Sequence, residues 1–181
     1  MLHRLQKAIE RVRRAYHDHE YHMVFHTLHN FCVVDLSSFY LDVQKDTLYT
    51  ARADAPERRS AQLVLHETLL ALVKLMAPIL AFTAEEIWGY LPAASREESS
   101  VHLSEFSQVN TAYIDDDLAA RWEPLLEMRA EILKALEQAR NQKLIGTSLE
   151  AAVDVYVPDG ERRALLEAYA NTLGSICIVS A

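Results

Sequence analysis

Between Leu5 and Leu91 apolar residues return every three or four positions, with few interruptions, and that period commits the stretch to helices. Leu5, Ile9, Val12 and Tyr16 share one helical face; after a polar break at residues 18–20, Tyr21, Phe25, Leu28 and Cys32 repeat the pattern. Two helices are predicted there. Phe39, Tyr40 and Val43 extend an apolar face as far as residues 45–54, where charged and small residues replace the periodicity. Pro56, with its fixed φ, suits a new helical start. Ala61, Leu65, Leu69, Leu72 and Met76 then line one side of a long helix that Pro78 should end or kink. Thr83 and Glu86 have the spacing of a capping box, which predicts a further helix carrying Trp88 and Leu91. Phe39, Tyr40, Ile79, Phe82 and Trp88 are expected to pack one bundle core.

After Pro92 the pattern loosens. Small and charged residues up to Ser100 read as a connection, and residues 101–106 as a short extended segment leading away from the bundle. Leu118, Trp122, Leu125, Ile132, Leu136 and Ala139 trace the buried side of another long helix, with Gly146 at its end. Val153, Val155 and Val157 alternate with Asp154 and Tyr156, as in a half-buried strand before a turn at Pro158, Asp159 and Gly160. Leu165, Leu166, Tyr169 and Leu173 suggest a helix, and residues 176–179 a final strand. The expected fold is mainly α: a helical bundle over residues 1–92, a connecting segment 93–116, and a small α/β subdomain (helix, strand, helix, strand) over 117–181.

Charge bears on the choice of partner. The chain sums to -8, whereas nucleic-acid binding draws on Lys and Arg. The acid sits in the second half: residues 1–92 carry 10 Lys and Arg against 11 Asp and Glu, a net of -1, and residues 93–181 carry 8 against 15, a net of -7. In the first half Arg4, Lys7, Arg11, Arg13 and Arg14 oppose only Glu10, and Arg52, Arg58 and Arg59 cluster downstream of Lys45. A local RNA-facing patch is therefore compatible with the composition.

No glycine-rich phosphate loop occurs, only four glycines are present, and no Ser or Cys has a nucleophile-elbow context, so this stretch of chain is expected to carry no catalytic residue. Cys32 and Cys177, far apart, read as buried reduced thiols. The most apolar window, residues 69–82, is broken by Lys74 and Pro78, and the start does not read as a signal peptide; a soluble cytoplasmic protein without membrane contact is expected. One rival reading stands. His22, His26 and His29 lie at i, i+4 and i+7, where two imidazoles could share a metal with Asp18, Asp35 or Glu67, giving a metal-binding helical bundle with a sensing or hydrolytic role.

Two longer strings narrow the field. FCVVDLSSFYLDVQKDTLY at residues 31–49 and MAPILAFTAEEIW at 76–88 resemble the helical anticodon-binding region in the carboxyl-terminal part of isoleucyl-tRNA synthetases, members of the class I aminoacyl-tRNA synthetases. VHLSEF at 101–106 and ARNQKLIGTSLEAAVDVYV at 139–157 resemble the linking segment and the start of that family's carboxyl-terminal module. The resemblance implies a piece of a much larger ligase that attaches isoleucine to its tRNA using ATP and Mg2+, with catalysis on a separate domain of the same chain. HIGH-type and KMSKS-type signatures do not occur here, so the piece alone should be inactive, need no cofactor and bind no metal. Its partner would be the anticodon stem-loop of isoleucine tRNA, whose splayed bases can stack on aromatic or guanidinium planes. Lys45, Tyr49, Arg52, Arg58 and Arg59, in or beside the polar loop, are the expected RNA contacts, with Arg13 and Arg14 as a second basic pair. Two positions depart from the family pattern: Ala81 stands where proline is common, and Thr47 replaces a commonly basic residue. A Cys-rich zinc module found in many bacterial members is absent from this stretch.

Overall fold

A computed structural model of the chain describes residues 1–157 and 160–180. Met1–Ile114 and Asp115–Ala181 form two compact units. In the first, α1 (Leu2–His17) and α2 (Tyr21–Asn30) are joined by a tight turn at which His19 takes a left-handed backbone (φ 60°). Glu20 N–H donates there to Ala15 O at 2.8 Å, capping a carbonyl the helix leaves open. α2 continues without a break into a π-helical stretch (Phe31–Leu41) and then α3 (Asp42–Thr50). The wider turn of that stretch lets Ser38 Oγ donate to Val33 O, five residues back, at 2.7 Å. α4 (Pro56–Met76) starts at the predicted proline, and α5 (Ala81–Tyr90) follows the turn around Pro78.

Two apolar clusters hold this unit. Leu5, Ile9, Val12, Val24, Leu28, Phe31, Leu72 and Leu75 bring together α1, α2 and α4, as the helical spacing predicts. Val73, Ala77, Ala84, Trp88, Leu91 and Val101 form the second. The connecting residues lie along the bundle. Trp88 Nε1 donates to Glu98 O (3.0 Å), the Glu85 carboxylate accepts from Ser100 Oγ (2.8 Å) and Val101 N–H (3.0 Å), and Lys74 Nζ reaches Glu97 at 2.8 Å. Further on, Asn110 N–H donates to the buried Gln6 side chain at 2.8 Å.

Several expectations change here. Ile79 is 43% exposed and Phe82 93%, so neither joins the core with Trp88, and Phe39 and Tyr40 are only half-buried. The reason is helical phase: Ala84 and Trp88, four apart, face inward, and Phe82, two before Ala84, points the opposite way. α5 begins at Ala81, with Ala84 N–H on Leu80 O at 2.8 Å, so Thr83 and Glu86 sit inside the helix instead of capping it. Of the cysteines, Cys177 is buried and Cys32 half-buried; both are free, and burial pushes both thiols up.

The second unit contains α6 (Asp116–Asn141), α7 (Gly160–Ala168) and α8 (Ala170–Cys177). Asp115 Oδ1 caps α6 by accepting from Leu118 N–H at 2.8 Å. α6 ends well before Gly146: Lys143 takes the left-handed backbone (φ 59°), and Leu144 N–H donates to Ala139 O at 3.0 Å. The strands of the expected α/β subdomain are not found among the described residues, which are helical or irregular there. Residues 151–157 are irregular, and the segment that should have paired with them is helical through Cys177 and left-handed at Ile178. Alternation of valines satisfies only the side-chain period of a strand; its backbone still requires a neighbour. Pro158 and Asp159, of the predicted turn, lie outside the described residues. Arg129, buried on α6, donates from Nε to Ile176 O at 2.7 Å and so ties α8 to α6. Among the described residues no helix is long and apolar enough to cross a membrane.

Tyr16 supplies a pH test of the first unit. Its hydroxyl donates to Leu75 O at 2.8 Å, and burial, with a smaller contribution from Tyr21, pushes the phenol up to about 12. The folded chain keeps the phenol neutral, whereas the unfolded chain ionises it near its ordinary value of 10.0. Its contribution is therefore intact below pH 10 and is lost as pH rises towards 12. Urea midpoints should decline over that window, and Tyr16→Phe should flatten the decline while costing about 1 kcal/mol at neutral pH through the lost hydrogen bond. A decline of unchanged steepness in Tyr16→Phe would show that other groups cause it.

Candidate nucleic-acid interface

Of the predicted basic and aromatic residues, Lys45 and Tyr49 lie on α3, Arg52 in the loop after it, and Arg58 and Arg59 near the start of α4. No residue of α3 is fully buried, so this arm is held mainly by its helical continuity with α2 and by contact with α4. Tyr49, in the last turn of α3, is 84% exposed, so its ring face is open to solvent. Thr50 Oγ1 donates to Asp46 O, one turn back on the same helix, at 2.7 Å. The chain then crosses residues 51–55, and Pro56 opens α4.

The four cations of this corner divide by role. Arg58 is half-buried: its Nη1 donates to Ala51 O at 2.7 Å, and its Nε is enclosed without a partner among the described residues. It clamps the loop from below. Arg59, the next residue, is exposed and has no ion-pair partner among the described residues. Lys45 Nζ donates to Asp42 Oδ1 at 2.7 Å, and this hydrogen bond holds its ammonium above the usual lysine range. Arg52 Nη2 lies 3.1 Å from Asp54, with both side chains largely exposed. Such surface pairs are weak, so each cation can be exchanged onto a phosphate or base edge at little cost. Chemically the corner combines a protruding aromatic plane, one unpaired guanidinium and two loosely paired cations on a braced loop.

The second predicted pair is split by helix geometry. Arg13 turns onto the connecting segment, where Nη1 donates to Phe106 O and Ser107 O, both at 3.2 Å. Arg14 points to solvent, on the same stripe of α1 as Lys7 and Arg11. Reading Arg13 and Arg14 as adjacent in sequence missed this, whereas counting in threes and fours would have grouped Arg14 with Lys7 and Arg11.

The imidazoles do not converge. His22, His26 and His29 are exposed on α2, where His26 and His29 flank the Phe25 ring at centroid distances of 5.4 and 5.6 Å. Among the described residues no group of three or more His, Cys, Asp or Glu is placed to hold a metal ion. The second unit contains a cavity of about 850 Å3 between α6 and α7, beside residues 155–157. Glu127 and Glu131 outnumber Arg162 on its lining, a balance that does not favour phosphate.

With this geometry in view, the chain can be set beside known proteins. The family described as the anticodon-binding domain of tRNA ligase matches residues 1–157. An isoleucine–tRNA ligase of Moorella thermoacetica is 49% identical over 179 residues, covering 99% of this chain and 19% of that protein. Its counterpart in Desulforamulus reducens is 49% identical over 176 residues (97% and 19%), and that of Geobacter sulfurreducens 48% over 179 (99% and 19%). The chain thus spans about a fifth of the length of these relatives. With a family match across most of its length, this chain belongs to the anticodon-binding domain family of tRNA ligases.

Proposed function

We propose that this chain is the anticodon-reading region of an isoleucine–tRNA ligase and that it takes the anticodon loop of isoleucine tRNA at the α3–α4 corner. The observation that carries this reading is Tyr49, a solvent-facing ring in the last turn of α3, just before a loop clamped by Arg58, in a chain of the anticodon-binding family. Tyr49 and Arg59 offer planes for unpaired bases, and Lys45 and Arg52 exchange their carboxylate partners for the loop backbone. Arg58 and Arg13 hold the loop and the connecting segment in place, and Arg14 adds charge on α1.

On this reading residues 1–92 are the RNA-binding bundle, residues 93–116 connect, and residues 117–181 form a separate carboxyl-terminal subdomain of the larger enzyme. Activation of isoleucine with ATP and Mg2+ in the cytoplasm belongs to the catalytic domain of that enzyme, outside the fifth of the relatives' length that this chain spans. The region supplies binding free energy and identity checking.

The test is a titration of the chain with the anticodon stem-loop of isoleucine tRNA and with a hairpin altered only in the anticodon, at several salt concentrations. The unaltered hairpin should bind more tightly throughout. Equal affinities would remove identity checking from this chain.

A further inference from the structure

We propose that the exposed stripe of α1 formed by Lys7, Arg11 and Arg14 grips the sugar-phosphate backbone of the RNA independently of its sequence, a role separate from base reading at the α3–α4 corner. The proposal rests on the RNA-binding reading above.

The spacing of these residues, four and then three, stacks them along one side of α1 over roughly 10 Å, on a face away from the buried Leu5, Ile9 and Val12. All three are exposed. Several cations of this acidic chain are already matched: Arg4 pairs with Asp35, Lys45 with Asp42, Arg52 with Asp54, Lys74 with Glu97 and Arg140 with Glu137. Arg11 and Arg14, like-charged neighbours on one helix, have no ion-pair partner among the described residues, although Glu10 lies one turn before Arg14 on the same face. Such an arrangement weakens the free helix slightly and suits a ligand bearing a row of negative charges.

Arg13 fixes the orientation of that row. Its hydrogen bonds to the carbonyls of Phe106 and Ser107, with the stacking of Tyr16 on Phe106 at 5.0 Å, prevent α1 from rolling about its axis. A fixed line of one ammonium and two guanidinium groups can take successive phosphates, and phosphate contacts carry no base information. The stripe would therefore add affinity without adding discrimination.

Arg11→Gln/Arg14→Gln tests this directly, because both side chains are exposed and the unfolding midpoint should stay unchanged. The dependence of binding on salt is measured with the isoleucine anticodon hairpin and with the anticodon-altered hairpin. The slope of log affinity against log salt should fall by about two, one for each phosphate that is no longer neutralised. Affinity for both hairpins should drop by the same factor, and Arg11→Lys/Arg14→Lys should restore most of the slope. An unchanged slope overturns the proposal, and a retained preference for the unaltered hairpin would leave the anticodon reading standing. A loss confined to the unaltered hairpin also overturns it, since the stripe would then read bases. Phosphatidylserine vesicles bound by the unsubstituted chain and not by the Gln pair, with the hairpin slope unchanged, would assign the stripe to a membrane surface instead. Absence of hairpin binding by the unsubstituted chain would end both readings.

Discussion

Replacing Trp88 with alanine should destabilise the first unit by about 3–5 kcal/mol, a large fraction of the roughly 5–15 kcal/mol that holds a domain folded. The ring is 1% exposed and fills the space between α4, α5 and Val101, so truncation leaves a cavity lined by Val73, Ala77, Ala84 and Leu91. It also strands Glu98 O, which accepts from the indole at 3.0 Å, and removes the plane over which Lys74 Nζ sits 6.0 Å from the centroid. The indole hydrogen bond to Glu98 O, one of those that keep the connecting segment on the bundle, would go with the ring. Trp88→Phe separates these effects: most of the burial is kept, and the missing N–H costs about 1 kcal/mol. Urea unfolding followed by far-UV circular dichroism measures both, with the two units fitted separately because they need not unfold together. A loss below 1 kcal/mol for the alanine variant would mean that the second cluster does not hold the unit.

The largest functional effect is expected at Tyr49. Base–aromatic stacking is worth about 1–3 kcal/mol per base, so Tyr49→Ala should weaken binding of the isoleucine anticodon hairpin by roughly 5- to 150-fold. Tyr49→Phe should bind nearly as well as the unsubstituted chain. Neither change should alter stability, because the ring is 84% exposed and buries little area on folding. This combination distinguishes a binding side chain from a structural one: a residue that merely supported the helix end would shift the unfolding midpoint and affect every RNA equally. Isothermal titration with the two hairpins, alongside thermal melts, reads both quantities. Wild-type affinity in Tyr49→Ala would move base reading away from this corner.

What the sequence made legible was whatever depends on local spacing. The faces of α1 and α2, the break between them, the start of α4 at Pro56 and the predominance of helix all follow from a 3.6-residue period and from the fixed φ of proline. The two strings at residues 31–49 and 76–88 carried the family, because shared sequence records constraints that no single period expresses. Features that depend on partners distant in sequence were not legible. Val153, Val155 and Val157 alternate as a strand should, but the described residues offer no second strand to take up its backbone groups. Thr83 and Glu86 match a cap, yet α5 already starts at Ala81.

The same limit applies to the site. Lys45, Tyr49, Arg52 and Arg59 are at the surface as expected, whereas Arg58 and Arg13 spend their guanidinium groups on backbone carbonyls of neighbouring segments. Adjacent arginines in a helix point about 100° apart, so one of each pair turns inward and the other outward once the core is fixed. The π-helical stretch had no signature at all, because its apolar residues satisfy an ordinary helical period equally well.

Mapping backbone amide shifts of the chain during titration with the isoleucine anticodon hairpin decides whether an RNA loop is received at the junction of α3 and α4. The account predicts that the largest, saturable changes fall within residues 45–59 and are much reduced for the anticodon-altered hairpin. Changes concentrated elsewhere, with that corner silent, would contradict it.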